Sequence, residues 1–260
     1  FDYRVYFKLY FINFNNIMIT LSSVSKSFDS NLIVDELNLH VEEGERIAII
    51  GESGCGKSTI LRLILGLILP DKGSIQVNSQ QVNQLDYRQL KKLRLSCGML
   101  FQSGALFDSM SVFDNVAFGL LENYGITGKE LRHKVSEALE MVGMLAYSER
   151  LPSQLSGGQR KRIGLARAIA TGPKIMLYDE PTTGLDPVLS TIIEDLIVSL
   201  NKDLKVTSIV VSHQKSTILR TVDKIYMMTN GILLTYETPK TIMKSSNKDI
   251  SFFMSGGIEH

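Results

Sequence analysis

The sequence has almost no net charge and very few cysteines, and each of these absences excludes a class of protein. Its 28 Lys and Arg residues are balanced by 27 Asp and Glu residues, for a net charge of +1. Such a balance offers no basic surface for gripping a phosphate backbone and argues against nucleic acid as a partner. Cys55 and Cys97, the two cysteines, are too few for a disulfide framework and follow no metal-ligand spacing, which favours a reducing compartment.

Long apolar segments are also missing. The most apolar stretch, Ile60 to Leu69, contains Arg62 and Gly66. It has about half of the ~20 residues that a membrane-spanning helix needs. A chain of 260 residues is long enough for an ample core. We therefore predict no integral membrane segment, which leaves attachment to a membrane surface open.

The first seventeen residues have a composition of their own. Seven of the chain's aromatic residues fall within the first fourteen positions. Asp2, Arg4 and Lys8 interrupt the apolar region that a signal peptide requires. We interpret residues 1–17 as a leader that comes from a misassigned start, with Met18 as the native start. The alternative is an aromatic anchor at a membrane surface.

From Ile19 onward, strand patterns alternate with helical ones, which predicts an α/β fold with a partly parallel sheet. Residues 41–44 are interpreted as a turn before a strand over 46–50. Helical spacing then runs from Lys57 to Ile68, and Pro70 to Gly73 is expected to end that helix. Further helices are predicted over 128–142 and 158–170, and further strands over 175–178, 206–212 and 224–228.

A glycine-rich loop lies between the first of these strands and its helix. It fits the pattern G-x-x-x-x-G-K-[ST] with Gly51, Glu52, Ser53, Gly54, Cys55, Gly56, Lys57 and Ser58, and Thr59 follows. Glycines let successive N–H groups turn inward onto a phosphate, and the helix N-terminus adds positive partial charge. Lys57 is predicted to neutralise the β- and γ-phosphates, and the Ser58 hydroxyl to ligate Mg²⁺. Nucleotide binding follows from this pattern.

Two acidic residues follow the apolar run 175–178. If this run is a strand, Asp179 reaches the carboxyl edge of the sheet beside the phosphate loop, where it can hold Mg²⁺ directly or through water. Glu180 then stands where a base could orient or deprotonate an attacking water. The last residue of the run is Tyr178, whose hydroxyl needs a buried partner.

A third pattern identifies a family. Leu155, Ser156, Gly157, Gly158 and Gln159 reproduce the LSGGQ signature of the ATP-binding-cassette (ABC) ATPases, which the chain resembles from about Ile19 to Thr238. The resemblance implies a P-loop NTPase cassette with a RecA-like mixed sheet, an antiparallel β subdomain and an α-helical subdomain. It also implies a homodimer in which two copies pair head to tail around two ATP molecules. The signature residues of one copy then contact the ATP of the other.

Other family positions are matched one by one. Phe28 is similar to the adenine-stacking aromatic, and Gln102 to the lid glutamine that senses the γ-phosphate and Mg²⁺. His213 is similar to the switch histidine at the γ-phosphate. The dimer-contact loop corresponds to Gly184, Leu185 and Asp186. The resemblance thus implies a catalytic set of Lys57, Gln102, Glu180 and His213 and a metal set of Ser58, Gln102 and Asp179.

The resemblance also implies an organisation and partners. Residues 18–240 correspond to the ABC domain, about 103–172 to its helical subdomain, and 241–260 to a C-terminal tail. A single cassette without a membrane span implies separate transmembrane permease subunits. We therefore expect a peripheral subunit at the cytoplasmic face of the inner (plasma) membrane.

The lid and the C-terminus resemble one branch of the family. Residues 101–110 and 112–117 read FQSGALFDSM and VFDNVA, which is similar to the Mla-type phospholipid-transport ATPases, and so is the ending FFMSG at 252–256. This implies phospholipid as cargo and a lipid-binding subunit as a further partner. The alternative is an ATPase subunit for another cargo, such as amino acids, ions or drugs. Chromosomal ATPases carry long coiled coils before the signature and translation ABC proteins carry two cassettes, and neither pattern is found here.

Overall fold

The computed structural model describes residues 17–256. The interpretation of the leader therefore falls almost entirely outside the described residues, as do the last four positions of the predicted tail. Ile17, assigned above to the leader, is the first residue of strand β1 and pairs with Glu42.

An antiparallel sheet is built from four strands in the order β2-β1-β4-β5. They are β1 (Ile17–Phe28), β2 (Asn31–Glu42), β4 (Lys72–Val77) and β5 (Gln80–Gln81). From Leu37 to Glu42 in β2, buried apolar residues alternate with exposed polar ones, as expected for a sheet that covers a core with one face. Because β2 continues to Glu42, the turn predicted from Val41 is confined to Glu43 and Gly44.

A second sheet of six strands has the order β10-β9-β3-β8-β7-β6. Its strands are β3 (Arg46–Ile50), β6 (Cys97–Leu100), β7 (Ile175–Asp179), β8 (Thr207–Val211), β9 (Lys224–Thr229) and β10 (Ile232–Leu233). All neighbours are parallel except β10 with β9. The carboxyl ends of β3, β8, β7 and β6 therefore lie side by side at one edge, where ligands of such sheets bind.

Eight α-helices complete the described part of the chain. They are α1 (Lys57–Ile64), α2 (Tyr87–Leu95), α3 (Val112–Tyr124), α4 (Gly128–Met141), α5 (Gly157–Ile169), α6 (Pro187–Leu204), α7 (Lys215–Thr221) and α8 (Lys248–Ser255). Helices α3 to α5 lie between β6 and β7, within the predicted helical subdomain. No described helix has both the length and the apolar character needed to span a bilayer.

The prediction for the first helix was wrong at its end. Helix α1 ends at Ile64 instead of continuing to Ile68. Gly66 has φ +60°, and a Cβ at this position would lie 2.6 Å from the Leu90 side chain. The chain therefore turns out of the helix where α2 packs against it, several residues before Pro70.

Two cores lie on the two faces of the six-stranded sheet. Ile47 and Ile49 of β3 face the core shared with the antiparallel sheet and α1, whereas Ala48 and Ile50 face the core built from the helices. Burial on both faces explains why the parallel strands are mostly apolar. Ile242, Ile250 and Met254, in the segment predicted as a tail, are buried in the helical core, so this segment packs against the domain as far as residue 256.

Candidate functional site

Four loops converge at the carboxyl edge of the six-stranded sheet. Together they enclose a cavity of about 230 Å³. All four predicted catalytic residues, Lys57, Gln102, Glu180 and His213, line it together with Ser58 and Thr59. Residues that are far apart in the sequence thus meet at one place.

The phosphate loop takes a shape that its glycines alone permit. Gly51, Gly54 and Gly56 have φ values of +148°, +81° and +107°, which L side chains rarely adopt. A Cβ on Gly51 would lie 2.5 Å from the Met228 carbonyl oxygen, and one on Gly56 would lie 2.7 Å from Ile33. The loop therefore packs its backbone directly against β9 and β2, and any side chain at these two positions would displace it.

Lys57 holds the loop from within. Its ammonium group donates to the carbonyl oxygens of Gly51 (2.8 Å) and Glu52 (2.6 Å), and only 5% of the residue is exposed. The Cys55 sulfur lies 3.8 Å from the same nitrogen. A buried ammonium fixed beside backbone N–H groups gives the loop the positive charge that phosphates require.

Ser58 and Asp179 meet although 121 positions separate them. The Ser58 hydroxyl donates to Asp179 Oδ1 at 2.8 Å, which joins the start of α1 to the end of β7. Hydroxyl and carboxylate oxygens are ligands that Mg²⁺ accepts. In residues 17–256, no group of three or more His, Cys, Asp and Glu side chains could hold a metal by itself. A magnesium ion here fits only with phosphate and water oxygens completing its shell, and Gln102, the third predicted ligand, lines the same cavity.

Glu180 is held by contacts to both of its carboxylate oxygens. Its backbone has φ +50°, in the left-handed region that non-glycine residues seldom occupy. Oε1 lies 2.9 Å from His213 Nδ1, and Oε2 accepts a hydrogen bond from the Thr183 hydroxyl at 3.0 Å. Its side chain is only 12% exposed. The carboxylate therefore has one defined position at the wall of the cavity.

The signature residues form a second site, apart from the phosphate loop. Ser156 and Gln159 make a reciprocal capping box at the start of α5, and the Leu155 carbonyl oxygen accepts from Arg160. Ser156, Gly158 and Gln159 line a separate cavity of about 280 Å³. Within one chain, the signature and the phosphate loop thus do not share a pocket.

The loop predicted to make dimer contacts lies against this second site. Asp186 caps α6 by accepting from the Leu189 N–H at 2.9 Å, and Gly184 has φ +81°. A Cβ on Gly157 would lie 3.6 Å from the Leu185 side chain. The predicted loop and the signature therefore present one continuous surface.

Some predicted ATP-binding residues lie outside the first cavity. Phe28 ends β1, is 40% exposed, and has the Lys26 ammonium 5.6 Å from its ring centroid. Glu52 and Cys55 face a neighbouring space of about 550 Å³, which Gly54 also borders. An exposed ring of this kind is free to stack on a base.

The buried hydrogen-bond partner predicted for the Tyr178 hydroxyl is confirmed, and two residues of the site were missed. The Tyr178 hydroxyl donates to Asn201, which in turn donates to Ser208, and burial raises the pKa of this phenol well above its usual value. Sequence reasoning missed Thr183 and Lys161. The signal for Lys161 was its spacing, since it shares a helical face with Gly158 and Leu165, both of which are buried.

Comparison with known proteins decides the family. The sequence profile described as ABC transporter matches residues 34–183. The chain belongs to the ABC transporter family. It is 39% identical over 242 residues to the intermembrane phospholipid transport system ATP-binding protein MlaF of Haemophilus influenzae, covering 93% of this chain and 92% of that one. It is also 39% identical over 218 residues to the methionine import ATP-binding protein MetN 2 of Listeria innocua, covering 82% of this chain and 64% of that one.

A solved structure agrees in fold. A dimeric ATP-binding cassette in a post-hydrolysis state, bound to ADP and phosphate, matches with a TM-score of 0.79 and 32% identity, over 85% of this chain and 99% of that one. The predicted cassette fold, with its mixed sheet, antiparallel sheet and helices, is confirmed. The ABC ATPase is an enzyme that hydrolyses ATP, and this chain is an ATP-binding subunit of that kind.

Proposed function

We propose that this chain hydrolyses ATP as a homodimer and drives phospholipid transport through separate membrane subunits. The observation that carries the hydrolytic part is the convergence of Lys57, Gln102, Glu180 and His213 on one cavity. The phospholipid part is supported by the likeness to MlaF over nearly the whole of both chains. The methionine import relative is matched over 64% of its length only.

The chemistry follows from how the side chains are held. Lys57 binds the β- and γ-phosphates, and the predicted metal set (Ser58, Gln102, Asp179) would hold Mg²⁺, which supplies charge neutralisation at the phosphates. Glu180 orients the attacking water and accepts its proton. Because His213 uses Nδ1 toward Glu180, its Nε2 is the nitrogen left to face the γ-phosphate.

The second copy completes each site. The N-terminus of α5 carries partial positive charge and the Ser156 hydroxyl, yet it lies in a different pocket from the phosphate loop. A head-to-tail dimer brings the Ser156 and Gly158 of one copy onto the ATP of the other. The dimeric state of the solved cassette supports this arrangement.

A groove beside the lid is the proposed contact for the permease. Phe101, Phe107 and Phe118 are each more than a third exposed around it, and the rings of Phe107 and Phe118 are 4.9 Å apart. Arg167 donates to the carbonyl oxygens of residues 104 and 105, which ties the lid to α5. Because Phe101 directly precedes Gln102, an apolar helix of the permease seated here would sense the nucleotide site. In this proposal the subunit is peripheral and lies at the cytoplasmic face of the inner membrane.

The cargo is tested by reconstitution. The chain is purified with the permease and any lipid-binding subunit encoded beside it, and bound lipid is identified by mass spectrometry. We expect co-purified phospholipid, together with ATPase activity in proteoliposomes that depends on the permease. Stimulation by an amino acid, ion or drug without bound phospholipid would contradict the proposal for the cargo and leave the ATPase assignment intact.

A further inference from the structure

A charged side chain is buried beneath the proposed catalytic acid. Lys161 lies on the inner face of α5 and is only 4% exposed. Its ammonium group donates to the backbone carbonyl oxygen of Glu180 at 3.0 Å. Burial lowers the pKa of Lys161 to about 8, whereas the carboxylates of Glu180 and Asp179 act to raise it. A cation in this environment is costly unless it is paired, so its placement calls for a reason.

The contact is made where the backbone of Glu180 needs support. The left-handed φ of this residue, +50°, persists only where the surroundings hold it. Its N–H donates to the Val211 carbonyl oxygen at 2.9 Å, which ties it to β8. Its carbonyl oxygen accepts a longer bond from the Thr183 N–H (3.3 Å), which belongs to the same turn and moves with it. Lys161 is the donor that ties this turn to α5.

The side chain of Glu180 depends on that backbone. The carbonyl group and the side chain branch from the same Cα, so a shift of the Glu180 backbone would move the carboxylate away from His213 Nδ1 and from the cavity wall. Displacements of about 1 Å at a reacting group can cost about a hundredfold in rate. Holding the carbonyl oxygen is therefore a way of holding the base.

We propose that Lys161 is a positioning residue for ATP hydrolysis, whose ammonium group fixes the backbone of Glu180 and so sets its carboxylate against the attacking water. The inference rests on the proposed function, in which Glu180 is the base. Lys161 touches neither the nucleotide nor the water in this role. It acts on the chemical step and leaves the binding of ATP unchanged.

Three substitutions separate the hydrogen bond from the charge and from packing. Lys161→Met keeps length and apolar bulk but removes the donor, Lys161→Gln restores a neutral donor, and Lys161→Arg restores a charged one. We expect Lys161→Met to lower kcat at least tenfold, with the KM for ATP and the affinity for ATP within about twofold of the parent. Lys161→Arg or Lys161→Gln should recover a substantial part of kcat. The exposed Lys129→Met, on α4, is the matched control and should change neither value.

The outcomes distinguish the possible failures. Thermal unfolding is followed for each variant. If Lys161 had a purely structural role, its replacement would lower stability and ATP affinity together, and the variants that keep a donor would not recover kcat. Such a result would overturn the inference, and so would a parental kcat in Lys161→Met. Glu180→Gln is assayed in parallel. If this variant retains turnover, the proposed base is wrong. If Glu180→Gln is inactive but Lys161→Met has the parental kcat, only the role of Lys161 is rejected.

Discussion

At the scale of single residues, the proposed chemistry depends on how one carboxylate is held. Glu180 is fixed through its side chain by His213 and Thr183, and through its backbone by Val211 and Lys161. Three of these four residues, His213, Val211 and Lys161, belong to other parts of the chain, and contacts of this kind hold a strained conformation at a functional site. The carboxylate thus needs little reorganisation when a nucleotide and water arrive.

Glu180→Gln tests the assignment of the base. The amide keeps the size of the side chain but cannot accept a proton, so we expect ATP binding to persist while turnover falls at least a hundredfold. The variant should accumulate as an ATP-bound dimer. Phosphate release and size-exclusion chromatography with ATP measure the two effects, and Glu149→Gln on the surface serves as control. Hydrolysis at the parental rate would show that another group activates the water.

The two cysteines are expected to differ in reactivity. Burial raises the pKa of the Cys97 thiol to about 11, so at pH 8 only about one molecule in a thousand carries the thiolate. Cys55 lies in the phosphate loop, 3.8 Å from the Lys57 ammonium. We expect an alkylating agent to modify Cys55 first and to inhibit the ATPase, and ATP to slow both effects. Peptide mapping by mass spectrometry follows the modification.

Cys55→Ala is the control for this experiment, since it should be active and resistant to the reagent. Complete labelling of Cys55 with unchanged turnover would refute the expectation that a modified phosphate loop cannot support the ATPase.

At the scale of elements, a buried polar network joins the turn after β7 to α6 and α7. The hydroxyls of Thr182 and Thr217 are 2.7 Å apart, and Thr217 also donates to Glu194 at 2.9 Å. All three residues are at most 1% exposed, and Arg220 pairs with the second oxygen of Glu194 at 3.2 Å. Because α7 begins two residues after His213, the network connects the segment that carries the predicted switch histidine to the turn after β7.

Thr217→Val tests that network. Valine has the shape of threonine but leaves Thr182 and one oxygen of Glu194 without this hydroxyl, at a cost of about 1–3 kcal/mol for each buried group left unsatisfied. We therefore expect a lower free energy of unfolding in urea and a lower kcat. Ser216→Ala, on the exposed side of the same helix, should change neither. Equal stability of the two variants would mean that the network contributes nothing.

Local sequence patterns predicted the strands and helices better than they predicted where these end or which side chains connect them. Four strands of the parallel sheet (β3, β7, β8 and β9) and the phosphate loop were predicted because apolar runs and glycine spacing are local signals. The short strand β6, of four residues, was not predicted. Ser58 and Asp179 could be paired from the sequence, since both follow parallel strands and such ends meet at one edge. The end of α1 was missed because it depends on Leu90 in another helix. The bond from Lys161 to Glu180 was missed because packing decides which carbonyl oxygen a buried lysine reaches.

At the scale of the whole molecule, the chain is an incomplete enzyme in the proposed mechanism. The phosphate loop and the signature line different cavities of one chain. In the proposed head-to-tail dimer, each ATP is bound by the phosphate loop of one copy and the signature of the other. The predicted dimer-contact loop, whose Leu185 packs beside the signature, would align the two copies in that dimer. Two inactive variants with different defects should therefore complement each other in a mixed dimer.

Mixing two inactive variants tests this arrangement. Lys57→Ala removes the phosphate-binding ammonium, and Gly158→Asp places a negative charge where the γ-phosphate of the partner's ATP would lie, with Gly158→Ala as its uncharged control. We expect Lys57→Ala and Gly158→Asp each to be nearly inactive alone. In an equal mixture, about half of the dimers contain one chain of each variant. In such a mixed dimer, one of the two ATP sites has both an intact phosphate loop and an intact signature, so about a quarter of the parental activity should return. If mixing restores nothing while both variants dimerise, the signature serves its own chain and the head-to-tail dimer is wrong.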